Sequence, residues 1–244
     1  MTTVQTPVEG PVRTPTGSTK KTAHLVGWLF VITYVTSIAA KFVFYPPLFD
    51  TDYITGSGED GRVTWGALSE MILIIANIGT AVALFSLLRR VHENLALAFV
   101  TARVMESVFI AVGILSVLTI VTLRQDDLGA ADTASLTVVG DALTALQEWT
   151  FALGPGFVVG VGNGIILGYL MYRSRLVPRG MAMLGLVGGP LICLSGAAVM
   201  LGLIEAGSTW HNLAVVPEFF WELSLGIYLI VKGFRPTRYT EVDA

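Results

Sequence analysis

Cysteine is almost missing. Cys193 is the single one in 244 residues, which excludes an internal disulfide and any cysteine-built metal cluster. Histidine is nearly as scarce, limited to His24, His92 and His211. No His-Glu-x-x-His occurs, and no Glu-x-x-His pair of the kind that builds a two-metal centre in a helical bundle. Charge is the third shortage: Asp, Glu, Lys and Arg make up 14% of the chain, against about 25% in ordinary soluble domains. Such a surface is not kept in water, so soluble, disordered and nucleic-acid-binding classes drop out, and a net charge of −3 would also repel a phosphate backbone. Serine-hydrolase, P-loop and dinucleotide signatures are missing as well. Gly160-x-Gly162-x-Gly164 has no strand before it, so it reads as helix packing. Neither metal nor cofactor is expected. His211 with Glu218 and Glu222 is the nearest approach to a metal site, and His24 and His92 fall at helix ends, where they read as interfacial and not as haem ligands.

What the chain has is apolar length: 53% of its residues are hydrophobic. A helix needs about 20 mostly apolar residues to cross a hydrocarbon core about 30 Å thick. Six runs qualify, at roughly 23–44, 64–88, 94–122, 143–172, 181–204 and 213–233. They are continuous, unlike the short alternating segments of a membrane β-barrel. The expected fold is therefore all-α: a polytopic bundle of six transmembrane helices spanning 22–235. Residues 1–21, rich in Thr, Pro and Gly, read as a disordered tail, and 236–244 as a second tail. Lys20-Lys21 and the following run resemble a secretory signal with a cleavage mimic at Ser37–Ala39, but the run continues past it and reads as the first span. The Pro- and Gly-bearing stretch at 45–62 should be irregular, with a short interfacial helix.

Basic residues set the orientation. Arg13, Lys20, Lys21, Arg89, Arg90, Arg173, Arg175, Arg179, Lys232, Arg235 and Arg238 fall at one set of helix ends; Arg62 and Arg124 fall at the other. That second set is acidic, with Asp50, Asp52, Glu59, Asp60, Asp126, Asp127, Asp132 and Asp141. Both termini are thus expected in the cytoplasm, and the acidic loops outside. Helices two, four and six each carry an outer glutamate and end apolar-then-basic (ALFSLLRR, LGYLMYRSR, IYLIVKGFR). That echo fits three related hairpins, and equally the positive-inside rule alone.

Lipid gives helices no hydrophobic reason to associate, so they rely on close approach and polar contacts. Gly156, Gly160, Gly164 and Gly168 form such a stripe on helix four, and the same kind of stripe would suit a helix-mediated oligomer. Pro155 and the Gly188-Gly189-Pro190 sequence should kink their helices.

An ionised side chain at mid-membrane costs about 2.5 kcal/mol or more, so each one needs a partner or a purpose. The spans carry Lys41, Glu70, Arg103, Glu106, Glu148, Glu218 and Glu222, all in the outer half or near the middle. Arg103 and Glu106 share a helical face and suit an ion pair; Glu218 and Glu222 share one too, where like charges repel and a cation or proton is called for. His211, Trp149 and Trp221 flank that level, with Asn77 and Asn163 deeper.

Several segments carry a family likeness: Leu84–Arg90 with Leu95–Leu97, Arg103-x-x-Glu106, Gly168–Ser174 with Pro178, and Pro217-Glu218 with Glu222 and Lys232-Gly233. In order and spacing they resemble a bacterial family of six-span membrane proteins known only as a domain of unknown function, DUF 4386. The resemblance covers roughly 22–235 and implies architecture but no activity. The residues themselves favour a non-enzymatic, multi-pass protein of a bacterial plasma membrane. In that reading Lys41, Glu70, Arg103, Glu106, Glu148, His211, Glu218 and Glu222 line an outward-facing acidic cavity that binds or conducts a cation, a proton or a small basic solute. A membrane enzyme acting on a lipid or isoprenoid with paired carboxylates, and a structural subunit docking through the glycine stripe, are the alternatives.

Overall fold

A computed structural model describes residues 17–50, 53–56, 58–125 and 133–240. The expected tail lies outside it up to residue 16, as do Asp52 and the loop carrying Asp126, Asp127 and Asp132. The described residues are helical and contain no strand. Helix α1 (Gly17–Ala39) runs into a π turn, Ala40–Phe44, and a 3-10 turn, Pro46–Phe49. Then follow α2 (Asp60–Gln125), α3 (Thr133–Phe151), π segments Ala152–Val158 and Gly160–Leu167, α4 (Gly168–Ser174), α5 (Arg179–Met200) and α6 (Thr209–Val231). Helix α3, the π segments and α4 form one continuous run, giving five helices long and apolar enough to cross a membrane among the described residues.

The longest of them is a hairpin. Drawn straight, 66 residues would reach about 99 Å, yet Arg124 near one end donates to Asp60 at the other across 2.6 Å. The reversal takes a single residue: His92 is extended (φ −163°, ψ 106°), with helix on both sides. His92 is the N-cap of the second arm, 93–125, because its Nδ1 accepts from the backbone N–H of Leu95 three residues on, at 3.3 Å. Glu93 follows at the first helical position, where a negative charge suits the helix dipole.

The run from Thr133 to Ser174 departs from α geometry where the sequence gives it reason. Pro155 has no N–H to donate, so an α hydrogen bond is lost there and the turns widen to the i→i−5 pattern. The wide turns continue through the glycine-rich stretch GVGNGIIL. By contrast α5 stays α-helical through Pro190.

Both described ends meet on one face of the bundle. Thr19 donates to the carbonyl of Thr240 (3.4 Å), Arg90 to that of Tyr239 (3.4 Å), and the N–H of Arg235 to Leu176 (2.8 Å). Residues 236–240 therefore lie folded across the His92 turn and the α4–α5 turn, and α1 begins at Gly17, inside the stretch expected to be a tail. The opposite face gathers the acidic residues. Arg62 there reaches Glu59 and the carbonyl of Val43, and Arg124 reaches Asp60 and the carbonyl of Gly56. Tyr53 donates to Asp60, and burial together with that carboxylate pushes its hydroxyl well above the usual range.

Between the two faces the interior is layered. The largest apolar cluster fills the basic half, with Val26, Phe30, Leu84, Leu88, Phe99, Leu170, Met171, Leu225 and Leu229. A smaller one, around Tyr45, Leu48, Val63, Val117 and Ile120, lies towards the acidic face. Outward, the bundle shows large apolar side chains along its whole length, among them Trp28, Val35, Ile75, Val82, Leu115, Leu194 and Val231.

Candidate functional site

The polar layer sits where the basic-half apolar cluster ends. Asn77 and Thr80 come from the first arm of α2 and Arg103 and Glu106 from the second, close enough to bond only because the helix reverses at His92. Arg103 gives Nη1 to Glu106 Oε2 (2.8 Å) and Nη2 to both Asn77 Oδ1 (2.8 Å) and Thr80 Oγ1 (3.3 Å). Asn77 completes the ring by donating to Glu106 Oε1 (2.9 Å). Phe30 of α1 lies 5.8 Å beneath the guanidinium, within cation–π range. Arg103 is 2% exposed and Glu106 4%. The pair expected at three-residue spacing is thus formed, and its remaining hydrogen-bonding capacity is largely taken up by Asn77 and Thr80.

Helix α6 brings the second pair of acids to the same layer. Glu222 accepts from Asn163 Nδ2 in the π segment, and Trp221 donates to the backbone carbonyl of Asn163 at 2.9 Å. Glu218, one turn closer to the acidic face, is 3% exposed and receives no hydrogen bond on either carboxylate oxygen. Asn163 Oδ1 and Arg103 Nε are buried without partners as well. Arg103 acts electrostatically on Glu106, Glu218 and Glu222, and Glu222 acts on both other acids. Three carboxylates and one guanidinium therefore form one electrostatic unit.

Glycine is what lets the helices close over it. A Cβ built on Gly164 would fall 2.7 Å from Glu218 Oε2 and against the backbone of Gly189; one on Gly188 would fall 2.9 Å from the same oxygen and on the α6 backbone. Gly160 and Gly168 meet α5 in the same way, at Gly189 and at Gly185–Leu186, whereas Gly156 has only the carbonyl of Phe151 near it, at 3.6 Å. The part of the stripe from Gly160 to Gly168 is covered by α5 of the same chain.

The other candidate residues lie elsewhere. Glu70 is buried nearer the acidic face and accepts from Tyr45 at 2.6 Å. Lys41 is on the surface, its ammonium 4.2 Å from the Phe151 ring, and the exposed Glu148 acts on it electrostatically. His211 faces Ser195 of α5 across 3.1 Å. A cavity of about 270 Å³ reaches Glu148, between Tyr53, Ile54 and Thr144. A second, of about 530 Å³, is an apolar groove between α2 and the π segment, lined by Leu97, Thr101, Met105 and Val161. Neither is lined by Arg103, Glu106, Glu218 or Glu222. No cluster of three or more His, Cys, Asp and Glu suited to a metal ion occurs among the described residues.

Sequence reasoning did not find the hub role of Asn163, which binds Glu222 through its side chain and Trp221 through its backbone. A lone amide inside a glycine-rich apolar helix was the available signal. It did not find the Tyr45–Glu70 bond, for which a tyrosine at the end of a span gave no particular cue.

A family model matches residues 25–233, most of the chain and all five long helices in whole or part. The chain belongs to the family described as Domain of unknown function (DUF4386). No curated protein and no solved structure matches it. Within the DUF4386 match fall all four acids and bases of the central unit, together with Asn77, Thr80 and Asn163.

Proposed function

We propose that this DUF4386 chain is an integral protein of a bacterial plasma membrane, crossing it six times with both ends in the cytoplasm. We further propose that its central layer binds a cation, a proton or a small basic solute taken from the outer side. The crossings are α1, the two arms of α2, the run from Thr133 to Ser174, α5 and α6. Apolar residues facing outward along the bundle support the membrane setting, since a soluble monomer rarely shows large contiguous apolar patches. The gathering of Lys and Arg at the face where the described ends meet supports the orientation.

The observation that carries the binding reading is Glu218: a fully buried carboxylate with no donor, one helical turn from a second acid, while the nearby arginine is committed to a third. Buried acids in that arrangement call for a positive species. Approach from the acidic face is supported by where polar side chains are buried. Ser69, Glu70, Ser116, Gln147, Thr150 and Ser195 lie on that side of the layer, whereas among the described residues the buried polar side chains towards the basic face are Ser174 and Thr240, at its end. The apolar cluster of the basic half acts as a plug, so the reading favours binding over a through-path.

The test uses the purified chain in phospholipid vesicles, with sodium, potassium and ethylammonium ions and a pH step as probes of thermal stability. At least one probe should raise the unfolding temperature of the native chain and lose that effect in Glu218→Gln and Glu222→Gln. A native chain indifferent to all of them would overturn the reading.

A further inference from the structure

Resting on that reading, we infer that the species held at Glu218 is a proton: Glu218 is a neutral carboxylic acid that exchanges its proton with the acidic side of the bundle, and Arg103 offsets the charge left behind. The fit favours the proton over a divalent or organic cation, and the cation exchange described below separates it from sodium and potassium. An organic ammonium ion is disfavoured at Oε2, because that oxygen lies against Gly164 and Gly188, where even an added methyl group would collide with it. A hard divalent cation wants six or more oxygen ligands. Among the described residues the buried unpartnered side-chain oxygens are the two of Glu218 and Oδ1 of Asn163. An ionised carboxylate left in such a place without a donor is strongly disfavoured, and the group takes up a proton instead. A proton needs no cavity, and none of the cavities described above reaches Glu218.

The groups that face Glu218 come from every helix packed around it. On α6 itself there is Glu222; from α2 come Arg103, which acts on Glu218 directly, and Glu106, which like Glu218 feels Glu222. Cys193 of α5 and Tyr34 of α1 both feel the charge of Glu218, and Tyr34 hydrogen-bonds the carbonyl of Phe219 beside it. The π segment contributes Asn163, which does not titrate. In the exchange step the O–H bond of Glu218 breaks, its electron pair stays on the carboxylate oxygen, and the proton passes to water on the acidic side. Arg103 keeps its own protons and its bond to Glu106.

Infrared difference spectroscopy on the purified chain in vesicles of phosphatidylethanolamine and phosphatidylglycerol tests this. A step to alkaline pH should bleach the C=O band of a neutral carboxylic acid and release a proton to a dye in the medium, and both signals should vanish in Glu218→Gln. Exchanging potassium for sodium or choline should leave the band unchanged. Should Glu218→Gln fail to fold, Glu218→Asp must move the band to the frequency of an aspartic acid, and Glu70→Gln must leave it in place. A neutral-acid band that never responds to pH overturns the inference, because the proton is then locked in. A band that sodium alone removes overturns it as well but leaves the broader cation-binding reading standing. Absence of any neutral glutamic acid, with no effect of the cations, takes both down.

Discussion

Arg103 illustrates how a charge is housed far from water at the scale of one residue. Its guanidinium has two parallel terminal nitrogens, and here each is spoken for: Nη1 by Glu106, Nη2 by Asn77 and Thr80. Lysine offers a single point charge and no such fork. Removing the arginine alone leaves a buried carboxylate and a buried amide without their donor, which typically costs about 3–5 kcal/mol. Replacing the whole unit by apolar side chains is often close to neutral, because no orphaned polar atom remains. Arg103→Met should therefore lower the unfolding temperature in detergent sharply, and Arg103→Met combined with Glu106→Leu and Asn77→Leu should recover part of the loss, the remainder reflecting the countercharge that Glu218 and Glu222 no longer have. Equal destabilisation by the single and triple substitutions would show that the ring does not act as one unit. The Arg103–Glu106 pair was legible from its three-residue spacing. Its closure by Asn77 and Thr80 was not, because residues 26 and 23 positions away become neighbours only once the chain has reversed.

At the scale of the element, hydrophobic runs marked where each helix lies but not where it stops. The spans expected at 64–88 and 94–122 are two helices, but each runs on until they meet at one extended residue, His92, since nothing else at 89–93 forbids helix. The run expected from 143 begins at Thr133, because its first turns are too polar to register as apolar length. Pro155 was legible as a disturbance, yet the chain answers it with π turns, whereas Pro190 leaves α5 intact. What turns α2 at His92 is a cap made by a side chain, a local hydrogen bond with a size that can be measured. Losing an N-cap acceptor typically costs about 1 kcal/mol. His92→Ala should be less stable than the native chain by about that amount in detergent unfolding, while His92→Asn, which supplies an oxygen at the same reach, should retain stability. Equal loss in both would assign the reversal to the arm-to-arm contacts alone.

At the scale of the whole molecule, the distribution of charge and the distribution of buried polar side chains run along the same axis. One face carries the basic helix ends and lies over an apolar half; the other carries Asp60, Glu59 and the two arginines bound there, over a half with buried hydroxyls and acids. A membrane separating two compartments gives that polarity a meaning, because lysine and arginine are retained on the cytoplasmic side during insertion. Two glycines make the orientation testable with little disturbance: a Cβ at Gly61, on the acidic face, and at Gly180, on the basic face, would each meet nothing within 4 Å. In a Cys193→Ala background, Gly61→Cys should react with a membrane-impermeant maleimide added to intact cells, and Gly180→Cys only after the membrane is opened. Six crossings require the two positions to be on opposite sides, since one α2 arm separates residue 61 from the His92 turn, which lies on the same face as Gly180. Labelling of both from outside would rule out that arrangement, and labelling of Gly180→Cys alone would invert it, placing the acids of the polar half towards the cytoplasm and reversing the side from which Glu218 receives its proton.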